Sequence, residues 1–208
     1  MKTDNVLMTV AVIAVVVSVL GMGITYNYFT TVEDWLTGFG VIGSVNLTVE
    51  TLAAINFSTT NISFGSGQID SGQSIATLVS SNGSITNGDW GAPGNGMVIE
   101  NIGNLNVTLD IATGLVDVTF IGGSSGGGPR YEWNITNGAG EADSCTAPGN
   151  LTMDTYENVS NVARRICDSF NFQDAQDIVQ IDILLAIPDD SLTGALTDTI
   201  TATFAAVS

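Results

Sequence analysis

Strict one-by-one alternation of apolar and polar residues most narrows the folds open to this chain. In Val45–Val49 the odd positions are apolar and the even ones polar. Leu105, Val107, Leu109 and Ile111 alternate with Asn104, Asn106, Thr108 and Asp110, and Tyr131, Trp133 and Ile135 with Glu132, Asn134 and Thr136. Val179, Ile181, Ile183, Leu185 and Ile187 keep the same period until Pro188, and Ile200, Ala202, Phe204 and Ala206 close the chain among threonines. Successive side chains of a strand point to opposite faces, so each run predicts a half-buried strand. Weaker candidates at Ile55–Phe57, Ile62–Phe64, Ile75–Val79, Met97–Ile99 and Val116–Ile121 bring the expectation to about ten strands, punctuated by Gly, Asn, Ser and Pro. Many short strands without intervening helices predict a mainly β fold: an antiparallel β-sandwich or jelly roll. One segment departs from the pattern. Tyr156, Val159, Val162, Ile166 and Phe170 are spaced at three and four, predicting a short amphipathic helix over Asp154–Phe170 inside an insertion of about residues 138–171.

Val6–Ile24 is a different kind of segment, nineteen residues without a charge. As a helix it spans roughly 28 Å, close to the hydrocarbon thickness of a bilayer. Tyr26, Tyr28, Phe29 and Trp35 follow where an interfacial aromatic belt belongs, and Lys2 precedes the run, placing the N-terminus inside. The run is longer than a usual signal-peptide core, and no small-x-small cleavage site follows it. A retained hydrophobic α-helix is therefore expected, either anchored in membrane or packed against its own copies in a filament core. Residues 1–36 are read as this helix and its stem, and residues 37–208 as an extracellular β domain.

Charge and composition then remove whole classes of function. Four basic residues stand against twenty-one acidic ones, for a net charge of −17. Such a surface repels phosphate, so nucleic acid is not an expected partner. Histidine is absent, which removes the Ser-His-Asp triad, the Cys-His pair and the common zinc sites. Gly122–Pro129 is glycine-rich but lacks the lysine and strand-to-helix context of a phosphate loop. Paired carboxylates suffice for glycoside hydrolysis, yet no pair stands out, so no catalytic residue and no cofactor is assigned. The acidic pairs Asp189/Asp190, Asp174/Asp177 and Glu141/Asp143 lack the spacing of a calcium loop. They are read as solvated, with no metal site.

Cys145 and Cys167, the only cysteines, are twenty-two residues apart, most simply a disulfide in an extracellular chain. Asn-x-Ser/Thr occurs eight times, at Asn46, Asn56, Asn61, Asn82, Asn106, Asn134, Asn150 and Asn158. Random placement of seventeen asparagines among forty-one serines and threonines gives about three. Covalent N-glycans are therefore expected, with Asn46, Asn106 and Asn134 on the polar faces of strands. Trp90, in the loop NGDWGAPGNG, is expected at the surface, and Trp133 in the core.

The stretches VNLTVETLAAINFS, MVIENIGNLNVTLDIATG and VQIDILLAIPDDSLTGALTDTITATF resemble archaeal surface proteins that carry one N-terminal membrane-type helix and an Asn/Thr-rich β domain. More distantly, ENIGN and IPDDSLTGALTDTITAT resemble the TasA/camelysin and archaeal bundling-pilin class of jelly-roll fibre subunits. That resemblance implies a homopolymer of copies of itself, in which a strand is donated to a neighbour. It supplies no catalytic residue, since the metallopeptidase label of the camelysin branch finds no histidine ligand here. Three functions follow as expectations in descending order. The first is a structural subunit of a cell-surface assembly, a glycosylated pilus-like filament or a surface layer. Next comes a membrane-anchored lectin-like adhesin using Trp90, and last an enzyme.

Overall fold

The computed structural model describes residues 13–20, 22, 47–91 and 94–207. The chain divides into two compact units, residues 1–48 and 49–208. In the first, residues 13–20 are helical (α1) with Ile13, Val15, Val17 and Leu20 exposed. The remainder of the expected span, residues 6–24, lies outside the described residues apart from Met22. Among the described residues no helix is long and apolar enough to cross a membrane.

The second unit is mainly β, with two antiparallel sheets. The larger sheet has seven strands: β1 (Ile55–Thr59), β2 (Ile75–Val79), β3 (Ser84–Thr86), β4 (Met97–Asn101), β6 (Arg130–Asn137), β8 (Glu157–Asn158) and β10 (Ile178–Pro188). The smaller runs in the order β11 (Ile200–Ala206), β5 (Val107–Thr113), β9 (Arg164–Phe170), β7 (Cys145–Pro148). Strand β10 organises the larger sheet. One edge pairs with β6 from Val179 to Ala186, and the other pairs end to end with β4 and then β2. Its alternation holds: Val179, Ile181, Ile183 and Leu185 are buried facing the smaller sheet's Val107, Leu109, Ile111, Ile166 and Phe170, and all belong to one core. Fully burying one such side chain is worth about 1.5–3 kcal/mol.

The ENIGN stretch ties the layers together. Buried Asn101 in β4 donates from Nδ2 to the carbonyl of Phe170 in β9 at 3.2 Å and to that of Leu105 at 3.1 Å, while its Oδ1 accepts from Gly103 N–H at 3.1 Å. Asn104 holds the entering chain, accepting from Leu52 N–H at 2.6 Å and donating to Glu50 at 2.7 Å. A Cβ on Gly103 would collide with the Leu52 carbonyl, so this crossing requires glycine.

Four local expectations are overturned. There is no helix over Asp154–Phe170, so the expected helical insertion of about residues 138–171 instead carries the strands β7, β8 and β9. Val162, a member of the supposed stripe, is 70% exposed, and its N–H is captured by Ser160 Oγ at 3.1 Å. Strand β9 also carries a β-bulge. Cys167 and Phe170 are three apart, yet they oppose Leu109 and Val107, which are two apart, because one extra residue is looped out of β9. Val116–Ile121 is not a strand but contains a short helix, α2 (Asp117–Phe120), whose first turn is closed by Thr119 Oγ1 on Val116 N–H at 3.1 Å. Ile62–Phe64 is not a strand either. Finally, residues 47–50, the later part of the predicted strand through Val49, join no strand among the described residues, and Leu47 and Val49 are 83% and 71% exposed.

Candidate functional site

The cysteines lie across β7 and β9 and form the disulfide Cys145–Cys167, with Cα atoms 5.4 Å apart. It staples the outer strand of the smaller sheet to its neighbour.

The sequons fall into two groups. Asn56, Asn61, Asn82, Asn150 and Asn158 are exposed. Asn106 is half-buried, and its Nδ2, the atom a glycan would occupy, donates to Ser169 Oγ and Asn171 Oδ1, each at 3.0 Å. Asn134 is half-buried too, with Oδ1 buried and unpartnered. Alternation places both on outward faces, but neighbouring chain covers those faces. Asn46 lies outside the described residues.

The acidic pairs are drawn into local structure. Asp190 accepts from Ser124 N–H at 2.8 Å and Ser125 N–H at 3.0 Å, with the Ser124 hydroxyl as a third donor. These donors, the Ser125 N–H foremost, pull its carboxyl down to about 2, and they order the glycine-rich Gly122–Pro129 loop. Glu141 Oε2 accepts from Ile178 N–H at 2.7 Å and Ser144 Oγ at 3.0 Å. Burial, then repulsion from Glu141 and Glu100, raises Asp177. Among the described residues no three of His, Cys, Asp or Glu gather as a metal site. Sequence reasoning missed two buried carboxylates on the outer face of the larger sheet. Asp182 accepts from Ser80 Oγ at 2.9 Å and Gln180 Nε2 at 2.8 Å, and Glu132 takes a bidentate grip from Arg130 at 2.8 and 2.7 Å. Each is spent on neighbours that hold the sheet, and only strand register brings them to one face.

A cleft of about 820 Å³ opens at one end of the β unit. Its floor is apolar: Leu78 of β2, Ile183 and Leu185 of β10, and Tyr131 of β6. One wall is the segment 64–70 laid against 87–91, joined by Gln68 N–H to Asp89 at 2.6 Å and Asp70 N–H to the Asn87 carbonyl at 3.0 Å. Trp90 belongs to this wall and is half-buried, not the surface platform expected. A Cβ on Gly67 or on Gly88 would come within 2.5 Å of its indole, so both glycines are needed to seat the ring. Trp133, as expected, is fully buried, with its indole N–H unpaired. The opposite wall is the chain leaving β10, held by Asp189 N–H on the Ser74 carbonyl at 3.1 Å and Leu192 N–H on Ile121 at 2.9 Å. It ends at Asp198, against Tyr131. Burial first, and then the Asp198 charge, pushes the Tyr131 phenol well above its ordinary range.

Strand β11 is the second unusual feature. It pairs with β5 without a break from Ile200–Thr113 to Ala206–Val107, and among the described residues its other edge is open. Ile200, Ala202, Phe204 and Ala206 share the face of buried Val107, Leu109 and Ile111, yet Phe204 remains 42% exposed. Ile200 and Ala202 are half-buried against the core, so an unpaired seven-residue edge whose apolar face is covered only at its first half offers backbone donors and acceptors to another strand.

Comparison with known proteins adds no relative: no family model, no curated protein and no solved structure matches this chain.

Proposed function

We propose that this chain is a structural subunit of an archaeal cell-surface assembly, a glycosylated filament built from copies of itself. In this reading the two sheets form a jelly-roll sandwich outside the cell, and the apolar segment at residues 6–24 packs in the filament core or anchors in membrane. The observation that carries the proposal is the open edge of β11 beside the exposed Phe204 end of its apolar face. The same chain offers a segment of matching chemistry, since Leu47, Val49 and Leu52 are exposed ahead of β1. Strand addition between copies pairs the backbone groups of that edge and covers Phe204. The carboxylates keep the remaining surface hydrated, because every described arginine is already tied to a carboxylate.

Electron microscopy of material sheared from cells without detergent, in parent and in a variant lacking residues 199–208, tests this. The parent is expected as ordered filaments, with glycan density at exposed Asn56, Asn61, Asn82, Asn150 and Asn158 and none at Asn106 or Asn134. The truncated chain is expected as dispersed particles. Filaments that form equally well without β11 rule out assembly through that edge, and discrete membrane particles from the parent overturn the filament itself.

A further inference from the structure

The geometry points to the cleft as a binding site for an amphipathic organic cation, an ammonium group carried on an aliphatic or aromatic body. Its volume of about 820 Å³ lies in the range of small-molecule sites. Four aromatic side chains line it, Phe64, Trp90, Phe120 and Tyr131. The Phe120 and Tyr131 rings meet at a centroid distance of 4.9 Å. Aromatic faces attract a cation through the ring quadrupole while accepting its hydrocarbon part. Three carboxylates, Asp70, Asp189 and Asp198, line the same cleft, and among the described residues no lysine or arginine does.

The placement of those carboxylates distinguishes them from the general acidity of the chain. Asp70 and Asp189 are brought to one side by the turn between them: Gln73 N–H bonds the Asp70 carbonyl at 3.0 Å, and the next residue, Ser74, accepts from Asp189 N–H. Unlike Asp190, whose oxygens are filled by Ser124 and Ser125, the side chains of Asp70 and Asp189 have no hydrogen-bond partner among the described residues. Asp198 stands against Tyr131 with Oδ2 buried and unpartnered. A floor of Leu78, Ile183 and Leu185 completes the arrangement: apolar surface below, aromatic rings in the walls, negative charge around. An anionic ligand is repelled, and a neutral one leaves the carboxylates unused. This inference is independent of filament formation and stands or falls without it.

Isothermal titration of the full chain with benzyltriethylammonium, benzyl alcohol and methyl glucoside tests it, with the Trp90 indole N–H followed by NMR. The cation is expected to bind at least ~10-fold more tightly than benzyl alcohol, to shift the Trp90 signal, and to weaken with added salt. Exposed Asp70 and Asp189 allow the double variant Asp70→Asn/Asp189→Asn, expected to fold normally by circular dichroism and to lose ~10-fold in affinity for the cation. Asn61 stands on the rim, so Asn61→Gln protein is titrated alongside to remove any glycan. Equal affinity for the neutral aromatic overturns the proposal. So does glucoside binding without cation binding, or the absence of cation binding at about 5 mM.

Discussion

The two edges of the smaller sheet are built in opposite ways. Strand β7 has four residues, shifts register twice against β9, ends on Pro148 and is bonded covalently through Cys145–Cys167. Irregularity and proline close an edge to further pairing. Strand β11 has seven residues, holds one register throughout, and contains neither proline nor charge. One edge is finished and the other is left available. The same sheet therefore shows what a protected edge looks like in this chain, and β11 departs from it at every point.

The largest expected effect comes from undoing the finished edge. Replacing Cys145 and Cys167 by serine removes a closure of 22 residues, and in the loop-entropy model lowers stability by about 3 kcal/mol. Urea denaturation of the two forms measures it. A difference below about 1 kcal/mol would mean that β7 is held by pairing alone. The open edge should respond in the other sense. Phe204→Lys places a charge on the exposed end of the apolar face of β11, where 42% exposure leaves little core to lose. Stability of the isolated chain is expected to change by less than about 1 kcal/mol, while filament formation is lost. If the lysine variant unfolds the domain, β11 belongs to the core and the contrast between the edges is wrong.

How much of this was legible in the sequence follows from which signals are local. Period-two alternation located β5, β6, β10 and β11, since Val107–Ile111 or Val179–Leu185 face the core through their own spacing. Alternation shows which side a residue takes; it does not show whether anything covers that side, so β10 and β11 read alike although β10 is buried along its length and β11 is half-buried only at Ile200 and Ala202. The apparent helix over Asp154–Phe170 joined residues that share no element: Tyr156 and Val159 flank β8, Val162 is exposed in the connection, and Ile166 and Phe170 belong to β9. Asn101 looked like one more polar strand residue. Its bond to Phe170 spans sixty-nine positions and is set only when the sheets meet. The cleft was invisible for the same reason. Its walls come from 64–70, 87–91 and 188–198, loop segments without periodicity, joined by backbone bonds that no residue type announces. The sequons were plain to read, but not the partners of Asn106.

The smallest effect sharpens the comparison at the approach to the open edge. Asp190 fastens the chain between β10 and β11 to the glycine-rich loop, through the N–H groups of Ser124 and Ser125. This clamp is fully exposed, so its loss should leave global unfolding nearly unchanged and act locally. Its pH dependence has a defined sign. Folding lowers the Asp190 carboxyl from its ordinary 3.8 to about 2, so the clamp's contribution is complete above the ordinary carboxylate range and disappears as pH falls through about 2. Amide resonances of Ser124 and Ser125, followed by NMR down an acid titration, should move with a midpoint near 2. Asp190→Asn, which keeps an acceptor oxygen but loses the charge, should abolish that titration and speed hydrogen exchange at both serines. A midpoint near 4 would show that the carboxylate is solvated and that the run-up to β11 is held by its backbone bonds, Asp189 to Ser74 and Leu192 to Ile121, without the clamp.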